Sequence, residues 1–451
     1  MAGQRQERRA LSRARGCPPG GYLNPGRKGT PGGEGIVHTP VDGDFFSSSF
    51  PRPLCYVLLE RKELSMNESS SPLGASSPSP NSSPAPIEIS GMHATARVFA
   101  AELESSAQGQ IRALCDQPFA AGSRIRVMPD CHAGKGCVVG LTMSVEGRVC
   151  PNLVGVDIGC GMEAVRFTPK KGLDFDKLDA FIRENIPSGF SVRGEPHDRA
   201  DSLDLDLVCS RHVDKRRAAL SLGTLGGGNH FIEVAQGESG LWLVIHSGSR
   251  RLGLEVAGWY QKMAGEACKA QGIPYELSYL EGQACADYLA DMAVAQSYAA
   301  ENRALMADLI LRGLKWREEE RFTTIHNYID LEHGVLRKGA VSASEGERLL
   351  IPLNMRDGSL LCRGLGNPDW NESAPHGAGR RLSRSEAKGA ITLPEFRKAM
   401  RGIHSTCISR ETIDESPMAY KDAEGIVAAL GPTADIVDRL RPLYNFKAGG
   451  E

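Results

Sequence analysis

RIRVMPDCHAGKGCVVGLTMSVEGRVCPNLVGVDIGCGMEAVR, residues 124–166, decides the fold class. Short apolar runs (RIRVMP, GCVVGLTMSV, RVCPNLVGVDIG, MEAVRF) alternate with Gly-rich turns, the pattern of β-strands joined by tight connections. Working outward, DFDKLDAFIREN at 174–185 has helical periodicity, and LWLVIHSGSR at 241–250 reads as a buried strand running into a polar loop. Residues 277–314 carry the longest helical pattern, with Leu289, Met292, Met306, Leu309 and Ile310 at helical spacing. Strand-like runs return at 349–364, and helices are expected at 384–402 and 419–439. No internal repeat is evident. Strands and helices in mixed order predict a single α+β domain over residues 87–451.

Residues 1–86 are of different composition. An Arg/Gly/Pro-rich start is followed by SSSPLGASSPSPNSSPAP at 69–86, and neither stretch holds enough apolar area to offset chain entropy. We expect this extension to be disordered. It reads better as the product of an upstream start codon, with translation beginning at Met66 or Met92, than as a transit peptide.

The chain has 451 residues, 41% hydrophobic and 24% charged, with a net charge of −2, so no global basic field marks it as a nucleic-acid binder. Any contact with RNA must come from a local patch. The 12 cysteines include no C-x-x-C pair, which argues against a zinc ribbon or disulfide framework and for reduced thiols in a cytoplasmic protein. No apolar run approaches a membrane span.

Five polar, Gly-rich segments each offer metal-type ligands: VGVDIGCGM (Asp157, Cys160), GTLGGGNHFIEV (Asn229, His230, Glu233), VIHSGSR (His246), TTIHNYID (His326, Asn327) and SAPHGAGRR (His376). Carboxylate, thiolate and imidazole together suit a borderline divalent ion such as manganese, zinc or iron. Each segment also has a plainer reading: a buried core cysteine, a capping Asn229, satisfied core histidines, an ordinary Gly turn around His376. His376 differs in its setting, because small residues follow it and Arg380 and Arg381 offer fork-shaped donors to a phosphate. MPDCHAGKG adds Asp130, His132 and Lys135, the last like a phosphate-binding lysine but without Walker A spacing.

Taken together, PDCHAGKGCVVG, NLVGVDIGCGME, GTLGGGNHFIEV, IHSGSR, HNY and HGAGR, in this order, closely resemble the RtcB family of RNA ligases in its shorter bacterial form. The resemblance runs from about residue 87 to 447. It implies a domain of mixed sheets and helices around a central metal and nucleotide cleft. It further implies an enzyme that joins RNA 3′-phosphate or 2′,3′-cyclic phosphate ends to 5′-hydroxyl ends, in RNA repair or tRNA splicing. Two Mn²⁺ ions are implied on Asp157, Cys160, His230, His246 and His326, with Cys160 shared, and GTP as cosubstrate guanylating His376. Nucleotide contacts are implied for Asn229, Glu233, His326, Asn327, His376, Gly377, Ala378, Gly379, Tyr420 in DESPMAYK, and Lys447. In IPLNMRDGS (351–359), Asn354, Arg356 and Asp357 stand where the longer forms carry a P-G-S-M-G type loop, and AGGE follows Lys447. Arg250, Arg251, Arg380 and Arg381 become candidates for phosphate contacts. A monomer is the family's default, and an archease-type activator is a candidate partner. The same donors without His376 or GTP would suit a metal-dependent RNA phosphodiesterase or phosphatase.

Overall fold

The computed structural model describes residues 85–449, so nearly all of the N-terminal extension lies outside the described residues. The described part is α+β, as expected, and is built on two large sheets. The first orders its strands Ile87–Ser90, Thr95–Val98, Ile125–His132, Val139–Ser144, Val335–Lys338 and Asn327–Asp330. The second orders Trp316–Ile325, Gly161–Pro169, Gly240–Ser247, Phe231–Gly237, Ala434–Phe446, Gly358–Gly364 and Arg348–Asn354. All pairings in it are antiparallel.

Alternation builds the second sheet's two faces. Val165, Phe167, Ile232, Val234, Leu243 and Ile245 point one way and pack on Leu178, Ile182, Met306 and Ile310 of the helices Phe175–Asn185 and Gly282–Leu314. Met162, Ala164, Phe231, Ala235, Trp242 and Val244 point the other way, against Leu350, Leu361 and Leu440. Both faces are covered, which is why LWLVIH is continuously apolar rather than alternating.

Several element boundaries differ from the sequence reading. RVCPNLVGVDIG forms strand only at Arg148–Val149. Pro151 then opens a 3₁₀ turn, Pro151–Leu153, and the rest is loop. The 277–314 helix starts at Gly282, because Leu280–Glu281 pairs with Arg148–Val149 instead. The polar loop after His246 is short, and a 19-residue helix, Arg250–Cys268, follows it. Residues 384–402 hold two helices, Arg384–Ala390 and Leu393–Ala399. Each starts at its own capping box, on Ser383 and Thr392, and Pro394 sits in the first turn of the second. Within 419–439 only Ala423–Leu430 is helical, and a 13-residue strand begins at Ala434. Asp438, Leu440, Pro442, Tyr444 and Phe446 are buried at a spacing of two, the strand period, and Pro442 is tolerated at a register shift. No described helix is long and apolar enough to cross a membrane.

Candidate functional site

Four neighbouring strands of the second sheet deliver four donors at one end. Cys160 immediately precedes Gly161–Pro169, His230 precedes Phe231–Gly237, His246 lies near the end of Gly240–Ser247, and His326 follows Trp316–Ile325. The antiparallel register opposes Gly161 to Ile325 and to Ser247, and Phe231 to His246, so these donors meet. Asp157 reaches the same point from the loop before Cys160. The Cys160 Sγ lies 3.2 Å from His246 Nε2 and 3.6 Å from His230 Nε2, and His230 Nε2 lies 3.0 Å from Asp157 Oδ2.

The ligand atoms form two triads, Asp157–Cys160–His230 and Cys160–His246–His326, each within 4.8 Å and both including Cys160. Their chemistry fits a divalent metal pair. His230 Nδ1 donates to the Leu225 carbonyl at 2.9 Å and His246 Nδ1 to that of Asn229 at 3.1 Å, which leaves both Nε2 lone pairs facing the thiol. Burial holds the imidazoles of His246 and His326 well below their ordinary values, so both are neutral donors at pH 7. Arg303, fully buried in the long helix, donates to the carbonyls of Gly159 at 2.7 Å and Ser247 at 3.0 Å, each next to a donor residue.

His376 joins this row of rings. The strand Ser373–Pro375 pairs with Ala340–Ser342, and Gly339, just before that partner, donates to the His326 carbonyl. The rings of His326 and His376 are 5.0 Å apart, close to the 5.2 Å between His246 and His326. Behind His376, buried Asp130 places Oδ2 2.7 Å from Nδ1, at an angle outside that of a regular hydrogen bond. Gly379 (φ 73°) lies against the Asp130 backbone, and a Cβ there would collide with its carbonyl. The small residues after His376 thus let its loop close on Asp130.

A cavity of about 370 Å³ opens over both groups. Asp157, Cys160, His246, His326 and His376 line it. So do Asn229, Glu233, Asn327, Asn354, Gly377, Ala378, Gly379, Arg380, Tyr420, Lys447 and His132. Asn327 braces the site by donating to the Asp157 carbonyl at 3.3 Å and accepting from Gly339 N at 2.9 Å. Asn354 folds the 354–357 turn by accepting from Arg356 N and Asp357 N, both at 3.0 Å, while Arg356 and Asp357 pair with each other.

The lysine and arginine expectations divide. Arg380 lines the cavity, paired with Glu415 at 3.1 Å. Lys135 is exposed and off the cavity wall, because its tight loop turns its carbonyl, not its ammonium, inward to accept from Lys338. Arg250 is also off the wall, its guanidinium lying over Gly226 and donating to Gly189 O at 3.2 Å. Arg251 pairs with Glu255 and Arg381 donates to Met418 O, both on exposed surface.

Sequence reasoning missed three wall or anchor groups. Lys338, 6% exposed, donates to the carbonyls of Lys135, Cys137 and Asn152, tying the Gly-rich loop to the 151–153 turn. Glu415, inside the noticed DESPMAYK, accepts from Lys447 at 3.0 Å and Tyr420 at 2.6 Å and pairs with Arg380 and Arg384. Asn445 donates to Glu233 Oε2 at 3.0 Å. Burial pushes the Glu233 carboxyl up to about 8. Glu233 Oε1 and Asn445 Oδ1 are buried without a partner in a cavity they both line, as expected of groups that complete their bonds on a ligand.

The family model described as tRNA-splicing ligase RtcB matches residues 110–213 and 204–448. The chain belongs to the RtcB family. It is similar to the RNA-splicing ligase RtcB of Escherichia coli (strain K12), at 33% identity over 400 residues, 76% of this chain and 95% of that protein. The tRNA-splicing ligases RtcB of Aeropyrum pernix and Thermococcus kodakarensis are 29% and 27% identical, each over 70% of this chain and 86% of theirs. The paired triads and His376 therefore sit on segments the RtcB match spans.

Proposed function

We propose that this chain is a GTP- and manganese-dependent RNA ligase that joins 3′-phosphate or 2′,3′-cyclic phosphate ends to 5′-hydroxyl ends through a guanylate on His376. The observation that carries the reading is His376 standing 5.0 Å from His326, a member of one of two donor triads, in a single cavity. Asp157, Cys160 and His230 would hold one Mn²⁺, and Cys160, His246 and His326 the other. Bound there, the ions supply Lewis-acid stabilisation of charge on phosphoryl oxygens.

The chain's own groups do the rest. Asp130 behind Nδ1 orients the His376 ring, so that Nε2 is the nucleophile and the imidazolium formed on attack is stabilised. His376 Nε2 forms a bond to the α-phosphorus of GTP as the bond to pyrophosphate breaks. Glu233, protonated at neutral pH because its carboxyl is held at about 8, can donate to the nucleotide, and Asn445 offers an acceptor beside it. Asn229, Asn327, Asn354, Tyr420 and Lys447 complete the nucleotide wall, and Gly377, Ala378 and Gly379 leave room for the adduct. Arg380 is the cavity's candidate phosphate contact. The guanylate then passes from Nε2 to an RNA 3′-phosphate, a cyclic phosphate having first been opened by water. The 5′-hydroxyl of the second end attacks that activated phosphate, and GMP leaves.

The ten described cysteines are all unpaired and buried, which supports a reducing, cytoplasmic setting. We take the working unit to be a monomer, with RNA repair or tRNA splicing as its setting and an archease-type protein as a candidate activator. The test supplies manganese-loaded protein with RNA carrying a 3′-phosphate at one end and a 5′-hydroxyl at the other. Joined RNA that depends on GTP, with one GMP released per joint, is expected. Phosphate release without GTP and without joined RNA would instead indicate the hydrolase.

A further inference from the structure

We infer that Phe190 is a stacking platform for the terminal base of the RNA strand whose phosphate enters the cavity; the inference rests on the RNA-ligase reading. Phe190 is 74% exposed, against 50% for Tyr275. A ring left in water gains nothing from folding, so packing does not explain the position. Nor is the ring on a loose tip. Gly189 N donates to Gly226 O at 2.9 Å, Arg250 Nη2 donates to Gly189 O at 3.2 Å, and Arg217 Nη2 donates to Phe190 O at 3.0 Å. The backbone on both sides of the ring is therefore tied down while its faces are left to solvent.

Those ties lead to the metal-type donors. Gly226 opens the Gly-Gly-Gly-Asn-His loop that ends on His230. The Asp157 carboxylate lies against Gly248, two residues before Arg250. The first turn of the helix Arg250–Cys268 packs on the loop that carries Asp157, with Gly253 against the Ile158 backbone. Val156 (39% exposed) precedes Asp157 in sequence, and Leu254 (49%) follows Gly253. The surface at Phe190 carries an exposed aromatic ring with the guanidinium groups of Arg217 and Arg250 bound to the backbone beside it, not a broad apolar patch. A protein partner would favour the patch. A single-stranded nucleic-acid end takes the mixed surface, because bases stack on aromatic faces while phosphates are drawn to arginine. Every base has a π-face, so the platform favours unpaired ends without reading sequence.

The test uses manganese-loaded full-length protein and an RNA whose terminal 3′-phosphate nucleotide carries 2-aminopurine, which loses fluorescence on stacking. Wild type is expected to quench the probe. Phe190→Ala should lose the quench and raise KM for RNA about tenfold, more than it lowers kcat, and Phe190→Trp should restore both. Equal quenching and equal KM in Phe190→Ala and wild type, with both joining RNA, would overturn the platform and leave the ligase reading standing. A wild-type protein that neither binds nor joins RNA would overturn both.

Discussion

Cys160→Ala is expected to remove both metal ions at once, whereas His326→Ala should remove one. Cys160 is the only member common to the two donor triads, with His246 and His230 Nε2 3.2 and 3.6 Å from its sulfur. Replacing it leaves each triad two donors, and losing a direct ligand should exceed the roughly 10–100-fold in affinity that outer partners are worth. Joining activity should fall with the metal. Elemental analysis after desalting decides it, with two ions per chain expected in wild type, one in His326→Ala and none in Cys160→Ala. Two ions retained by Cys160→Ala would show that the triads are not the metal sites. The substitution removes a small buried side chain and leaves Arg303 holding the flanking carbonyls, so the fold should survive it.

The second large effect is on stability and follows from Glu415. Burial alone would raise this carboxyl, but Lys447, Arg384 and Arg380 outweigh burial and hold it at about 2, below the ordinary 4.5. A carboxyl depressed on folding stabilises the native state above its unfolded pKa, and the contribution is lost as pH falls through the folded value. It is therefore present above pH 4.5 and drains away between there and pH 2, on the order of 3 kcal/mol in all. Glu415→Gln should lose ~3–5 kcal/mol at pH 7, because it leaves three cations facing one another with no carboxylate between them. Urea unfolding at successive pH values from 7 to 3 checks both points. The gap between wild type and variant should narrow as pH falls, and a constant gap would contradict the assignment.

Much of the site was legible because its donors stand at strand ends, where an apolar run stops abruptly at a polar residue. LWLVIHS announces His246 at such a stop, whereas RFTTIHN carries His326 at a strand end with no apolar run before it. What no local pattern carries is which strands become neighbours. The register that opposes Gly161 to both Ile325 and Ser247 is a tertiary fact. Lys338 escaped notice for the same reason, since its carbonyl partners are distant in sequence and VLRK resembles a solvated edge. The helix Arg250–Cys268 was hidden by its entry. Ser-Gly-Ser reads as loop, and Arg250 itself has φ 56°. In Ala434–Phe446, Ile436 and Leu440 at a spacing of four imitate a helix face, yet Ile436 is exposed and the buried set falls at a spacing of two.

The central claim is a covalent guanylate on His376, and its most direct measurement is retention of label from GTP carrying ³²P at the α-phosphate, after denaturation of manganese-loaded protein. Acid-labile, alkali-stable label in wild type, absent from His376→Ala of equal metal content, is the predicted result. Label that persists undiminished in His376→Ala would contradict the account.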